Sequence, residues 1–131
     1  LAKVLSATTV GLIGIIITVE IDVSARGFPI FRIVGLPNKS IEESKERVRS
    51  AIINSSFKMP DTRMLINLSP ADIPKEGSLF DLPIAVGILA AQGSISSKYL
   101  NNSVIIGELS LDGNVLPVSG ILPIAMCAKK K

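Results

Sequence analysis

From residue 14 to 24 the chain reads GIIITVEIDVS, which places Ile15, Ile17, Val19, Ile21 and Val23 on one face and Thr18, Glu20, Asp22 and Ser24 on the other. A period of two belongs to a strand with one face buried. A second β-rich stretch, 3–10, precedes it, and Gly11 and Gly14 bracket a hairpin turn between the two. Residues 28–36, FPIFRIVGL, predict a third strand bounded by Gly27 and by Gly35-Leu36-Pro37-Asn38. The period then lengthens. Over 40–54 Ile41, Val48, Ala51 and Ile52 share one helical face, while Glu42, Glu43, Glu46, Arg47 and Arg49 cover the rest. Ser40 fits an N-cap with Glu43 three residues on, a capping box, and Glu43 and Arg47 have i,i+4 spacing for an ion pair.

Residues 63–69, RMLINLS, predict a short apolar strand, and 70–77 a loop. The run 79–92 is a nearly all-apolar helix in which Pro83 is tolerated only near the first turn. Its small residues, Ala85, Gly87, Ala90 and Ala91, suit close packing on a sheet. Residues 103–111 predict a strand, Asp112-Gly113-Asn114 a hairpin turn, 115–118 another strand, and 120–131 the start of a helix. The order is β-β-β-α-β-α-β-β-α, an α+β fold with a mixed sheet and helices packed on one side. One domain, residues 1–131, accounts for the whole chain.

Composition narrows the chemistry. Apolar residues make up 47% of the chain and aromatic residues 4%, so the core must be aliphatic, with Phe28, Phe31, Phe57 and Phe80 as its few large plates. The longest uncharged runs, 4–19 and 82–97, fall short of the roughly 20 apolar residues that span a bilayer. No basic segment leads into a cleavage site, so the expected setting is soluble and cytoplasmic. Of the 14 basic residues three are Lys129, Lys130 and Lys131; without them 11 basic face 11 acidic residues, so charge alone argues weakly for nucleic acid. There is no histidine, and Cys127 is the single cysteine. That excludes a Ser-His-Asp triad, a Cys-His dyad, a Cys/His zinc site and an internal disulfide within this chain. Cys127, in an apolar helical run, reads as a small buried hydrophobe.

The stretch 74–91, PKEGSLFDLPIAVGILAA, carries the remaining candidate chemistry. It is no phosphate loop, because Lys75 precedes the one glycine of the turn instead of following a run of amides. Ser78 admits two readings. Near a helix N-terminus it could be a nucleophile beside amides that hold an oxyanion, with a buried neutral lysine as base. Alternatively Ser78 is an N-cap and Asp81 the acidic residue completing a capping box, which explains both residues without a further partner.

Four segments, IVGLPN at 33–38, ESKERVRSAI at 43–52, NLSPADIPKEGSLFDLPIAVGILAA at 67–91 and GELSLDGNVLPVSGILPIA at 107–125, together resemble the N-terminal domain of the bacterial magnesium-chelatase-like AAA+ ATPases. The resemblance implies a Lon-protease-like fold of the ribosomal protein S5 domain 2 type. It also implies an ATPase module beyond residue 131, binding ATP and Mg2+, and assembly of the subunits into a ring, a hexamer. In the competence branch of that family the ring is a DNA helicase that drives branch migration. The chain begins without Met and stops just after a helix begins, so it reads as a domain cut from such a protein.

Lon proteases carry P-K-D-G-P-S-A-G with a serine nucleophile, and later a glycine-rich motif ending in K-E-K, whose final lysine is the base. Aligned without gaps, 74–77 match P-K-D-G, the nucleophile position falls on Leu79, and Ser78 stands where Lon has proline. The lysine positions fall on Leu122 and Ile124. The domain is therefore expected to be a protease-like scaffold with no catalytic residue, cofactor or metal of its own. The candidates for contact with DNA or a partner are Lys39, Lys45, Arg47 and Arg49, with Arg63 and Lys75 behind them. The competing reading pairs Arg47 and Arg49 with Glu43 and Glu46 on a solvated helix face.

Overall fold

The computed structural model describes residues 1–98 and 100–129. Strands β1 (Ala2–Val10) and β2 (Ile13–Val23) form the expected hairpin about Gly11 and Leu12. Gly11 has φ 63°, the hand required at the first position of a tight hairpin turn. Strand β3 (Ile30–Val34), helix α1 (Lys39–Asn54), strand β4 (Arg63–Ser69) and helix α2 (Asp81–Ala91) follow. A one-turn 3-10 helix (Leu100–Asn102), strands β5 (Glu108–Leu109) and β6 (Val115–Leu116), and helix α3 (Ile121–Lys129) complete the order. Lys130 and Lys131, assigned to the last helix from sequence, lie outside the described residues.

The main sheet runs β1-β2-β4-β3 and is mixed: β1, β2 and β4 are antiparallel, whereas β3 lies parallel to β4 and reaches it through α1. The alternation in β2 decides the layers. Ile17, Val19 and Ile21 are buried, and their register partners Val4, Ile66 and Leu68 share that face. Helix α2 lies directly on it, since a Cβ on Gly87 would stand 2.0 Å from Ile21 Cδ1 and 3.3 Å from Val4 Cγ2. The small residues of α2 thus serve a close helix–sheet approach. Helix α1 packs against α2, and Ile41, Val48, Ala51 and Ile52 enter the same core.

Three expectations are corrected. Helix α3 is on the opposite face. Gly14 belongs to the other parity of β2, and its missing Cβ would sit 2.4 Å from the Pro123 carbonyl oxygen and 2.9 Å from Cys127 Cβ. Cys127 is accordingly half-buried against the sheet. The aromatic plates are fewer than predicted: Phe80 is fully buried and Phe31 partly, but Phe28 is 83% exposed and Phe57 is also on the surface. Strand β3 begins only after Pro29, which has no amide for a ladder, and so Phe28 stays outside it. Finally, 103–111 is not one strand. Val104 bridges Leu5 of β1 and the Ile105 amide donates to the Leu5 carbonyl at 2.8 Å, then the chain leaves the sheet and pairs through Gly107 with Leu79 and Leu82. Strands β5 and β6 form a separate hairpin.

Gly14→Ala forces a Cβ against a backbone carbonyl. It is expected to cost about 1–3 kcal/mol, as overpacking does, in a urea titration, and to speed amide exchange in α3 more than in β4. Unchanged exchange in α3 would count against its seat on this face.

Candidate functional site

The motifs that resemble a known family meet in space. Gly35, at φ 107°, lets the chain after β3 approach β4 so closely that a Cβ would lie 2.2 Å from the Leu68 carbonyl oxygen. Leu36 then adopts a left-handed conformation, φ 57°, rare for a branched side chain. Pro37 bridges Lys75, with the Lys75 amide on the Leu36 carbonyl at 3.0 Å and the Asn38 amide on the Lys75 carbonyl at 3.1 Å. So 33–38 and 74–77 form one joint at the start of α1.

That joint changes the capping assignments. Asn38, extended at φ −92° and ψ −173°, is the N-cap of α1, its side-chain oxygen accepting from the amides of Ser40 and Ile41. Ser40 is inside the helix and is not the cap; its hydroxyl accepts from the Gly77 amide at 2.7 Å and ties the loop down. Glu43 therefore completes no capping box. At α2 the N-cap position is Phe80, with no side-chain cap, so Ser78 does not cap either. The Leu82 amide is satisfied by the Gly107 carbonyl at 3.0 Å, supplied from the 107–109 segment.

Asp81 has a different task. It is wholly buried, and its carboxylate accepts from Arg47 Nε at 2.6 Å, from Arg47 Nη2 at 3.1 Å and from the Leu109 amide at 3.1 Å. The forked pairing joins α1, α2 and β5. It replaces the expected Glu43 and Glu46 partners of Arg47. The hydrogen bond to Asp81 raises the Arg47 pKa above its ordinary value against partial desolvation, with help from the charges of Asp81, Glu108 and Glu43.

The basic candidates do not converge. Lys39 and Arg49 are exposed, Lys45 is half-buried and pairs with Glu42 at 2.7 Å, and Arg47 is committed to Asp81. Arg63 is exposed on the sheet face opposite Met64, away from α1. Lys75 is not a surface cation at all: it is fully buried, and its ammonium donates to the Pro70 carbonyl. Desolvation pushes its pKa below 10.5, opposed by the charge of Asp72.

Beside the joint lies a cavity of about 370 Å3, lined by Thr8 and Thr9 of β1, 76–79 of the loop, and 117–119 between β6 and α3. Ser78 and Leu79 both border it. Ile124, the other position matched to the Lon dyad, is buried within α3, and Leu122 is exposed. Among the described residues no group of three or more His, Cys, Asp or Glu could hold a metal, and no helix is long and apolar enough to cross a membrane. The Arg47–Asp81 pair escaped sequence reasoning because its members are 34 positions apart; the Asn38 cap was visible, as an Asn directly after a Pro at a helix start.

The chain belongs to the family described as subunit ChlI of Mg-chelatase, which matches residues 19–131. It is similar to the competence protein ComM of Haemophilus influenzae, 44% identical over 130 residues covering 99% of this chain and 25% of that protein. It is also similar to the protein YifB of Escherichia coli, 45% identical over 114 residues, 87% of this chain and 22% of that protein. The chain spans about a quarter of the length of these relatives.

Two outcomes follow from the buried charges. Arg47→Ala strands the Asp81 carboxylate and is expected to cost about 3–5 kcal/mol in denaturant unfolding, with Arg47→Met plus Asp81→Leu recovering most of it; a loss below ~1 kcal/mol, the worth of a surface pair, would deny the pair a structural role. For Lys75 the folded pKa is depressed, so the unfolded state binds more protons between that value and 10.5 and stability rises with pH in this window. Urea midpoints should show that alkaline gain in the parent chain and lose it in Lys75→Met.

Proposed function

We propose that this chain is the non-catalytic N-terminal accessory domain of a magnesium-chelatase-like AAA+ ATPase, on a Lon-protease-like, S5 domain 2 type scaffold. It contributes to assembly of the ring, to DNA engagement, or to both. The supporting observation is the pairing of 44% identity to ComM across 99% of this chain, a quarter of that protein, with apolar residues, Leu79 and Ile124, at both positions where a Lon-type dyad would stand. ATP and Mg2+ then belong to a separate ATPase module, and the protein works in the cytoplasm. Phosphate contact falls to Lys39, Lys45, Arg49 and Arg63, since Arg47 and Lys75 are held within the fold.

The test uses the full-length protein with and without this domain. Ring formation by sedimentation and DNA binding by anisotropy are measured over a salt series. Loss of either on deletion is the expected result, and a deletion that leaves both intact removes the proposal. If the domain grips DNA, Lys39→Gln with Arg49→Gln is expected to flatten the slope of log affinity against log salt by about 1–2, near 0.9 per lost phosphate contact. Cleavage of an unstructured protein that disappears in Ser78→Ala would instead establish a residual serine peptidase.

A further inference from the structure

The cavity beside β1 has a property that its lining alone does not explain. Thr8 and Thr9 are neighbours on a strand, so their side chains point to opposite faces, yet both border the same space. A space touched by both lies along the strand's edge. The hairpin register says which backbone groups point there. Val10 pairs with Ile13 across the two-residue turn, so Val10, Thr8, Ser6 and Val4 exchange hydrogen bonds with β2, and the alternate residues turn outward. Leu5 demonstrates this parity by accepting from the Ile105 amide. Two residues beyond Ala7, the amide and carbonyl of Thr9 face outward with no protein partner among the described residues.

Strand edges are usually blunted by charge, proline or a covering segment. On β1, Lys3 guards one end and 104–105 cover the middle, but no charge or proline occupies Thr9 or Val10. Instead the edge is walled by 76–79 on one side and 117–119 on the other, and the backbone groups of Val118 and Ser119 also make no protein hydrogen bond among the described residues. Walls on both sides hinder edge-to-edge docking of a whole second sheet, whereas a single extended chain needs only the strand edge itself. The wall chemistry selects further. Its lining includes the hydroxyl residues Thr8, Thr9, Ser78 and Ser119 and one formal charge, Glu76, whose carboxylate also accepts from the exposed Asn38 side-chain amide at 3.3 Å, with no lysine or arginine. Phosphates find no counter-charge here.

We propose that this cleft receives an extended polypeptide segment bearing a basic side chain, which adds to the Thr9 edge of β1 as a further strand and sets its cation against Glu76. This recognition mode draws affinity from main-chain hydrogen bonds and specificity from the flanking side chains. The proposal is independent of the ring reading.

The test titrates the 15N-labelled chain with two blocked hexapeptides, KTVKTV and ETVETV, and with a single-stranded oligonucleotide. The basic peptide is expected to give saturable shifts at the Thr9, Val118 and Ser119 amides and to slow exchange at Thr9, while the acidic peptide and the oligonucleotide do not. Glu76→Lys should weaken the basic peptide about tenfold or more, the scale of one hydrogen bond to a charged group. Thr9→Pro, checked for an unchanged spectrum in β4, should abolish binding. No shift at Thr9 at millimolar peptide, equal response to both peptides, or a stronger response to the oligonucleotide overturns the proposal. The peptide recovered intact by mass spectrometry marks a cleft that holds without cutting; its cleavage would contradict the non-catalytic reading and leave the binding proposal standing.

Discussion

The buried carboxylate of Asp81 is the constraint around which the helical layer is arranged. A charge removed from water must be paired and hydrogen-bonded, and Asp81 is answered by a forked arginine from α1 and a backbone amide from β5. Its presence fixes three elements at once. It ties together the face of α1 that carries Arg47, the start of α2, and the 107–109 segment after the chain has left the sheet at Ile105. Aliphatic packing could hold α1 against α2 in several registers. The ion pair selects one.

The second organising joint is polar backbone rather than charge. Leu36 and Asn38 bind the 74–77 loop edge to edge, and Ser40 fastens it at Gly77. The loop that borders the cavity is therefore held from α1, while the opposite wall is held from α3 through Gly120, whose carbonyl accepts from the Ile124 amide. Two helices on opposite faces of the sheet thus define one cleft at its edge.

Much of this was legible. Strands and helices defined by local periodicity, such as 63–69 and the apolar face of 40–54, stand where the pattern put them, because burial on one face leaves a local trace. What failed was non-local. Asp81 looks like a capping residue until Arg47 comes into view, and Lys75 looks like a surface cation until Pro70 is seen to receive it. The strand predicted over 103–111 has the right composition but changes partner midway, from β1 to the start of α2. The side taken by α3 depends on a Gly14 that reads from sequence as part of a turn. The family resemblance reached the motif positions themselves, Leu79 and Ile124, but not which of them borders the cavity.

The order β1-β2-β4-β3 also bears on how the chain reaches its fold. The β1–β2 hairpin closes across two residues and β3-α1-β4 forms a contiguous unit, so each half of the sheet is local. Their junction is not: Thr18 must find Ser69, and Val23 must find Met64. Loop-closure entropy concentrates at that one seam. Sequence changes within either half act on local pairings, whereas changes at the β2–β4 seam act on the long-range pairing that joins them.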